Sequence, residues 1–337
     1  MLDSNEIISL DYGSGGKKTS RLIEELLLPA FGSRELSALG DGAVLPPMGG
    51  LAFSTDSFVV SPLFFPGGNI GKLCVCGTVN DLCMCGAKPK YLSLSFIIEE
   101  GLPMAELEKI VSSIAETARF CGVEIVTGDT KVVEKGRGDG IYINTAGIGE
   151  IIRPGLSPTA IQSGDRVIVS GTVGDHGAAV MLCRNELALD CGDVSSDCAP
   201  LHRLSSALMS ACPNLRVMRD PTRGGLATTL CEFVEGTELC MELSEKLIPV
   251  SPAVKGTCDI LGLDPLYCAN EGKLIAIVPP EEADAALAAL QAFPEGQNAA
   301  LIGTVSKRSA GNVVVNTVLG TSRIVSKLTG AQLPRIC

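Results

Sequence analysis

Residues 71–86 read Gly71-Lys72-Leu73-Cys74-Val75-Cys76-Gly77-Thr78-Val79-Asn80-Asp81-Leu82-Cys83-Met84-Cys85-Gly86, a helical stretch that is apolar almost throughout. A helix without a solvent face has to be wrapped by other elements, so the fold must build a core around it. Glycine and cysteine allow another backbone to come close. Asn80-Asp81 places two polar groups inside that apolar segment, and a buried carboxylate needs a metal ion or hydrogen-bond donors. Asp81 is therefore read as functional. The four cysteines do not read as a metal cage. At about 100° per residue Cys74 and Cys85 share one face and Cys76 and Cys83 the opposite one, so four sulfurs cannot converge tetrahedrally. They are read as packing.

The 337 residues exceed what one core usually holds, which predicts two domains of roughly 150–180 residues. Ile152-Arg153-Pro154-Gly155-Leu156-Ser157-Pro158-Thr159, with two prolines and a glycine between apolar runs, suits the linker. A formal charge of −11 argues against a nucleic-acid or anionic-membrane surface. No apolar run approaches the roughly 18 residues of a membrane helix, and the start of the chain is acidic where a signal peptide is basic. A cytoplasmic location is expected, and cysteines such as Cys183, Cys212, Cys231 and Cys258 are read as small hydrophobes in a reducing compartment.

Along the chain, Asp11-Tyr12-Gly13-Ser14-Gly15-Gly16 precedes an apolar helical run, Leu22 to Leu28. A glycine loop that opens a helix suits phosphate, although it lacks the spacing of a P-loop. Asp41 and Asp56 each sit in strand-like surroundings where a carboxylate can hold a hard cation such as Mg2+. Residues 104–120 form an amphipathic helix stopped by Gly122. The strand that follows is expected to break at Gly128-Asp129-Thr130-Lys131, which gathers a metal-type acid and a phosphate-type cation in four residues. His176 and His202 are read as hydrogen-bonded structural histidines. Asp220-Pro221-Thr222-Arg223-Gly224-Gly225 opens a helix at Leu226 and offers an anion or metal site. Asn270-Glu271-Gly272-Lys273 precedes an alternating strand, Leu274 to Val278, and two strands are expected around the Gly311-Asn312 turn.

The chain closes on Pro334-Arg335-Ile336-Cys337. Proline removes conformers from a mobile segment, so seating the thiol costs less entropy, and a thiolate is a strong nucleophile.

Taken in order, the glycine-rich start, Asp41, Asp56, Asn80-Asp81, Gly128-Asp129-Thr130-Lys131, Asp220 to Gly225, Asn270-Glu271-Gly272 and the Pro-Arg-Ile-Cys ending resemble the HypE family of nickel–iron hydrogenase maturation proteins, within the AIR synthetase-like ATP-binding superfamily. The resemblance implies a two-domain α/β (α+β) fold of the AIR synthetase (PurM-like) kind. It divides into an ATP-binding and dimerisation domain at 1–155, a C-terminal domain at 156–327 and a mobile tail at 328–337. It implies a homodimer formed through N-terminal sheets, and ATP and Mg2+ as cofactors. Gly13, Ser14, Gly15, Gly16, Asn80 and Thr130 would face ATP, and Asp41, Asp56, Asp81, Asp129 and Asp220 the metal or phosphates. Lys131 and Glu271 would face Cys337. The implied reaction is ATP-dependent dehydration of an S-carbamoyl group on Cys337 to a thiocyanate. The carbamoyl would come from the carbamoyltransferase HypF, and the cyanide would pass to iron on a HypC–HypD complex. Competing readings are a small-molecule kinase or synthetase of the same superfamily and a cysteine-rich metal carrier. Four cysteines on the Asn80-Asp81 helix, where relatives usually carry small or aliphatic residues, are a departure from the family pattern.

Overall fold

The computed structural model describes residues 5–14, 17–37, 43, 45–184, 193–328 and 336–337. Asp41, Gly15, Gly16, Pro334 and Arg335 lie outside the described residues. In the first half, α1 (Lys17–Leu22) continues through a π turn (Ile23–Leu27) into α2 (Leu28–Phe31), followed by α3 (Arg34–Ser37) and β1 (Leu51–Phe58). The two-residue strands β2 (Phe64–Phe65) and β3 (Gly68–Asn69) then lead to α4 (Ile70–Met84), β4 (Ala87–Glu99), α5 (Met104–Cys121), β5 (Glu124–Val133) and β6 (Ile141–Ile151). The second half runs β7 (Arg166–Val169), α6 (Asp175–Cys183), α7 (His202–Ala211), β8 (Val217–Arg219), α8 (Gly225–Val234) and β9 (Cys240–Ser244). It ends with α9 (Pro252–Leu261), β10 (Ile275–Val278), α10 (Ala283–Gln291), β11 (Ala300–Ser306), β12 (Val313–Asn316) and β13 (Ser322–Val325).

The first sheet has the order β1-β6-β4-β5. Its strands alternate: Leu92, Leu94, Phe96 and Ile98 of β4 are buried, while Tyr91, Ser93, Ser95 and Ile97 face outward. Helix α4 covers the inner face and packs against β1, β4, β6 and α5. Asn69 starts it, its side-chain oxygen accepting from the N–H groups of Gly71 and Lys72. Cys74, Cys76 and Cys83 are buried in its packing and every described cysteine is a free thiol. Gly77 is required by proximity, because a Cβ there would stand 2.8 Å from the Phe58 ring. On the outer face Leu51 (56% exposed) and Phe53 (68%) lie toward one end of the sheet and Ile97 (46%) toward the other, with Thr55, Ser57, Ser93 and Ser95 between them.

Strand β5 corrects the expected break. After a register shift at Val126 it continues beside β4 through this stretch, pairing Leu94 with Gly128, Ser95 with Asp129, Phe96 with Thr130 and Ile97 with Lys131. A neighbouring strand's ladder outweighs the turn preference of Gly-Asp. The second sheet has the order β13-β12-β9-β11-β7-β10-β8. Its β10, expected to alternate, is buried at every residue because it lies between β7 and β8 and is covered on both faces. The strands on either side of the Gly311 turn do not pair with each other; β9 lies between them. Helix α4 also touches α7 and β8, so it contacts both halves. No helix among the described residues is long and apolar enough to cross a membrane.

Candidate active site

Where α4 meets β1 and the end of β8, three acids share one neighbourhood. Alternation along β1 puts Ser54 and Asp56 on the face of Ala52 and Phe58, toward α4. Asp81 lies one helical turn beyond Gly77, and a Cβ on Gly77 would stand 3.6 Å from the Asp56 carboxylate. Ser54 donates to Asp81 at 2.6 Å. Asp220 follows β8. Burial pushes its carboxyl up to about 7, and the nearby Asp81 and Asp56 charges add to this while Arg219 opposes it. Asp56 and Asp81 are also raised, burial again coming first. Among the described residues no three His, Cys, Asp or Glu side chains stand close enough to ligate one ion by themselves.

Glu271 occupies the turn before β10. Asp197 fixes this turn through its carboxylate, which accepts from Glu271 N–H at 3.0 Å and Gly272 N–H at 3.2 Å and pairs with Lys273 at 3.4 Å. Gly272 admits no side chain, since a Cβ would sit 1.8 Å from the Asp197 carbonyl oxygen. Asn270 ties the turn to two other loops: its side-chain oxygen accepts from Gly174 N–H at 2.8 Å and its amide donates to Pro221 O at 3.1 Å. The Glu271 side chain is 3% exposed, and its Oε1 has no hydrogen-bond partner among the described residues. Burial holds this carboxyl well above the usual carboxylate range, reinforced by Cys198 and by the acids Asp220, Asp197 and Asp56. Burial and the neighbouring acids thus both favour its neutral form.

The two described tail residues are docked beside it. Ile336 is 3% exposed, and its carbonyl accepts from His176 Nε2 at 2.5 Å. The Cys337 carbonyl accepts from Val59 N–H at 3.0 Å. The Cys337 thiol is pushed up to about 12, first by burial and then by Glu271 and Asp56, with Arg223 acting the other way. Sulfur, base candidate and acid cluster therefore share one electrostatic environment.

Asn80 borders that environment without an amide to spare. It donates to Ala199 O at 3.1 Å and toward Glu271 O at 3.5 Å, and it accepts from Leu201 N–H at 2.7 Å. The other expected residues gather elsewhere. Lys131 is 61% exposed and pairs with Asp129 at 2.6 Å, which holds the Asp129 carboxyl below the usual range. Both lie on β5, at the sheet edge opposite β1. Three strand spacings, roughly 14 Å, separate Asp129 from Asp56 within one chain. Gly13 and Thr130 line a cavity of about 310 Å3 with Asp129, Lys131, Ile23 and Leu27. Ser14 caps its own turn, donating to Asp11 O at 3.0 Å.

Asp197 and the tail contact of His176 were not foreseen from sequence. Asp197 stands in an unremarkable polar run, Ser195-Ser196-Asp197, and His176 has no partner nearby in sequence; only the fold brings theirs to them.

The chain matches the AIR synthase related protein N-terminal domain over residues 39–151 and the C-terminal domain over 162–316. It is 49% identical to the carbamoyl dehydratase HypE of Azotobacter vinelandii, over 99% of this chain and 98% of that protein. A crystal structure of the hydrogenase maturation protein HypE in complex with ATP superposes with a TM-score of 0.93 at 50% identity, covering 97% of this chain and 99% of the other. The crystal structure of a HypE–HypF complex superposes with a TM-score of 0.79 at 47% identity, covering 91% and 99%.

Proposed function

We propose that this chain, which belongs to the AIR synthase related proteins and within them to the HypE family of carbamoyl dehydratases, uses ATP to remove water from a carbamoyl group carried on Cys337. The observation that carries the reading is a thiol docked beside a buried carboxyl, whose Oε1 has no hydrogen-bond partner among the described residues, at the rim of an acid cluster. The amide of S–C(=O)NH2 cannot expel its oxygen unaided. Transfer of the γ-phosphoryl group of ATP to that oxygen gives ADP and turns the oxygen into a leaving group. Loss of phosphate, with removal of both N–H protons, leaves S–C≡N.

In that scheme Glu271 accepts an N–H proton once it has released its own, and its burial makes it a stronger base than an exposed glutamate. Asp56, Asp81 and Asp220, whose raised carboxyls lie in one neighbourhood, would face the triphosphate and would hold Mg2+. When bound, that ion offsets negative charge on the phosphoryl group under transfer. The burial of Ile336 and the partial burial of Cys337 would limit the access of water to the phosphorylated intermediate. Asn80 acts by fixing the backbone around Glu271. Asp41, Gly15 and Gly16 complete the nucleotide site in this proposal.

Asp129 and Lys131 lie too far from Cys337 within one chain to serve it, so we assign them to the site of a second copy. In this proposal two such sheets pack by their outer faces, where Leu51, Phe53 and Ile97 are exposed, and the β5 edge of one copy lies toward the β1 edge of the other. Domain limits at 155/156 and 327/328, a cytoplasmic location, carbamoylation by HypF and cyanide delivery to HypC–HypD belong to the same proposal. The HypE–HypF complex of a relative supports the HypF step.

The test is mass spectrometry of the C-terminal peptide after incubation with HypF, carbamoyl phosphate and ATP. Carbamoylated Cys337 should lose the mass of one water, and Cys337→Ala should form no protein-bound cyanide while still binding ATP. Phosphorylation of a free small molecule with the tail unchanged would sink the reading.

A further inference from the structure

The docked tail is held by its backbone, from two sides. Val59 N–H takes the carbonyl of residue 337 and His176 Nε2 that of residue 336. His176 is fully buried and meets the Phe65 ring edge-on at 5.4 Å. Its other nitrogen, Nδ1, lies 2.8 Å from Ser196 Oγ. That hydroxyl also accepts from Cys198 N–H at 3.0 Å, which leaves its own proton for the imidazole. The partners fix one tautomer: Nδ1 accepts from Ser196, and Nε2 carries the proton it donates to Ile336 O. Burial lowers the imidazole's proton affinity, in keeping with a neutral ring. The adjoining residue, Asp197, anchors the backbone of Glu271 and Gly272. One short segment, 196–198, thus mounts both the tail's hold and the candidate base.

A hold on backbone carbonyls is indifferent to what the sulfur carries. The same two hydrogen bonds persist whether Sγ bears a proton, a carbamoyl group or a nitrile, and that constancy is what a residue transformed in place requires. We propose that His176 is a positioning residue for the dehydration, seating the tail through the residue 336 carbonyl, with Ser196 selecting the imidazole tautomer that lets it donate. This rests on the function proposed above for Cys337, but its test does not.

The readout is alkylation of Cys337 by iodoacetamide in the full-length protein, quantified on the C-terminal peptide so that other cysteines do not interfere. His176→Phe keeps an aromatic ring beside Phe65 and removes the donor. A tail freed from the pocket regains an ordinary thiol with far more thiolate, so labelling should accelerate at least about tenfold. His176→Gln, which restores an N–H donor, should recover most of the protection, and Ser196→Ala should fall between the two. Single-turnover loss of water from the carbamoylated tail should slow in the same order, with ATP affinity and melting temperature held. Wild-type labelling in His176→Phe, or a Gln variant as impaired as the Phe variant, would overturn the proposal. Should His176→Phe not fold, equal labelling of Ser196→Ala and wild type overturns it instead. Labelling needs neither HypF nor ATP, so a protected thiol in a wild type that forms no thiocyanate would refute the proposed function alone.

Discussion

Replacing Asp220 by asparagine should stabilise the protein at neutral pH and leave it unchanged in acid. In the unfolded chain the carboxyl releases its proton near 3.8, whereas in the fold it keeps it to about 7. Between those values the folded state binds more protons than the unfolded state, so stability falls as pH rises, by about 1.4 kcal/mol per pH unit. Over a window of about three units the full effect is about 4 kcal/mol, and because Asp81 shares the repulsion the expected gain is about 2–4 kcal/mol. Asparagine has nearly the same shape and does not titrate. Urea denaturation from pH 3 to 7.5 should give wild-type and variant stabilities that coincide below 3.8, the unfolded value, and separate progressively as pH rises to about 7. Mg2+ with ATP, which compensates the buried charge, should stabilise the wild type more than the variant. Parallel pH profiles would refute the view that burial and neighbouring acids load this site.

Two further outcomes follow from the same geometry. Glu271→Gln replaces the carboxyl by a neutral amide of the same shape, so the fold and ATP binding should persist while water loss from the carbamoylated tail slows by about 10²–10⁴. The wild-type rate should rise with pH as the raised carboxyl deprotonates, and the variant should lack that rise in single-turnover assays. Asn80→Ala strands the Leu201 N–H and the Ala199 carbonyl, costing about 2–5 kcal/mol in denaturant unfolding, with ATP affinity nearly preserved.

The sequence was most readable where a local rule and the fold agree. The α5 periodicity ending at Gly122 is such a place, as is the apolar α4 stretch around Asn80-Asp81. It misled where a neighbour overrules the local rule: β5 stays straight through Gly128 to Lys131 because β4 supplies its ladder, and β10 is covered on both faces. Asp81 drew notice as an acid in apolar company and Cys337 as a thiol on a proline-stiffened tail, whereas Asp56, Asp220 and Glu271 look locally like solvated residues and were singled out only by the order of motifs on which the family resemblance rests. Asp197, Ser196 and the partner of His176 could not be picked out. Their roles lie in contacts such as the 160 positions between His176 and residue 336, and no spacing encodes those.

The docked tail has one anchor in each half of the molecule, Val59 at the end of the first-half strand β1 and His176 on the second-half helix α6. Spreading the halves apart must therefore release one anchor or stretch the short span between them. On the function proposed above, any parting of the halves that admits a nucleotide or hands over a finished nitrile would also free the arm that carries it.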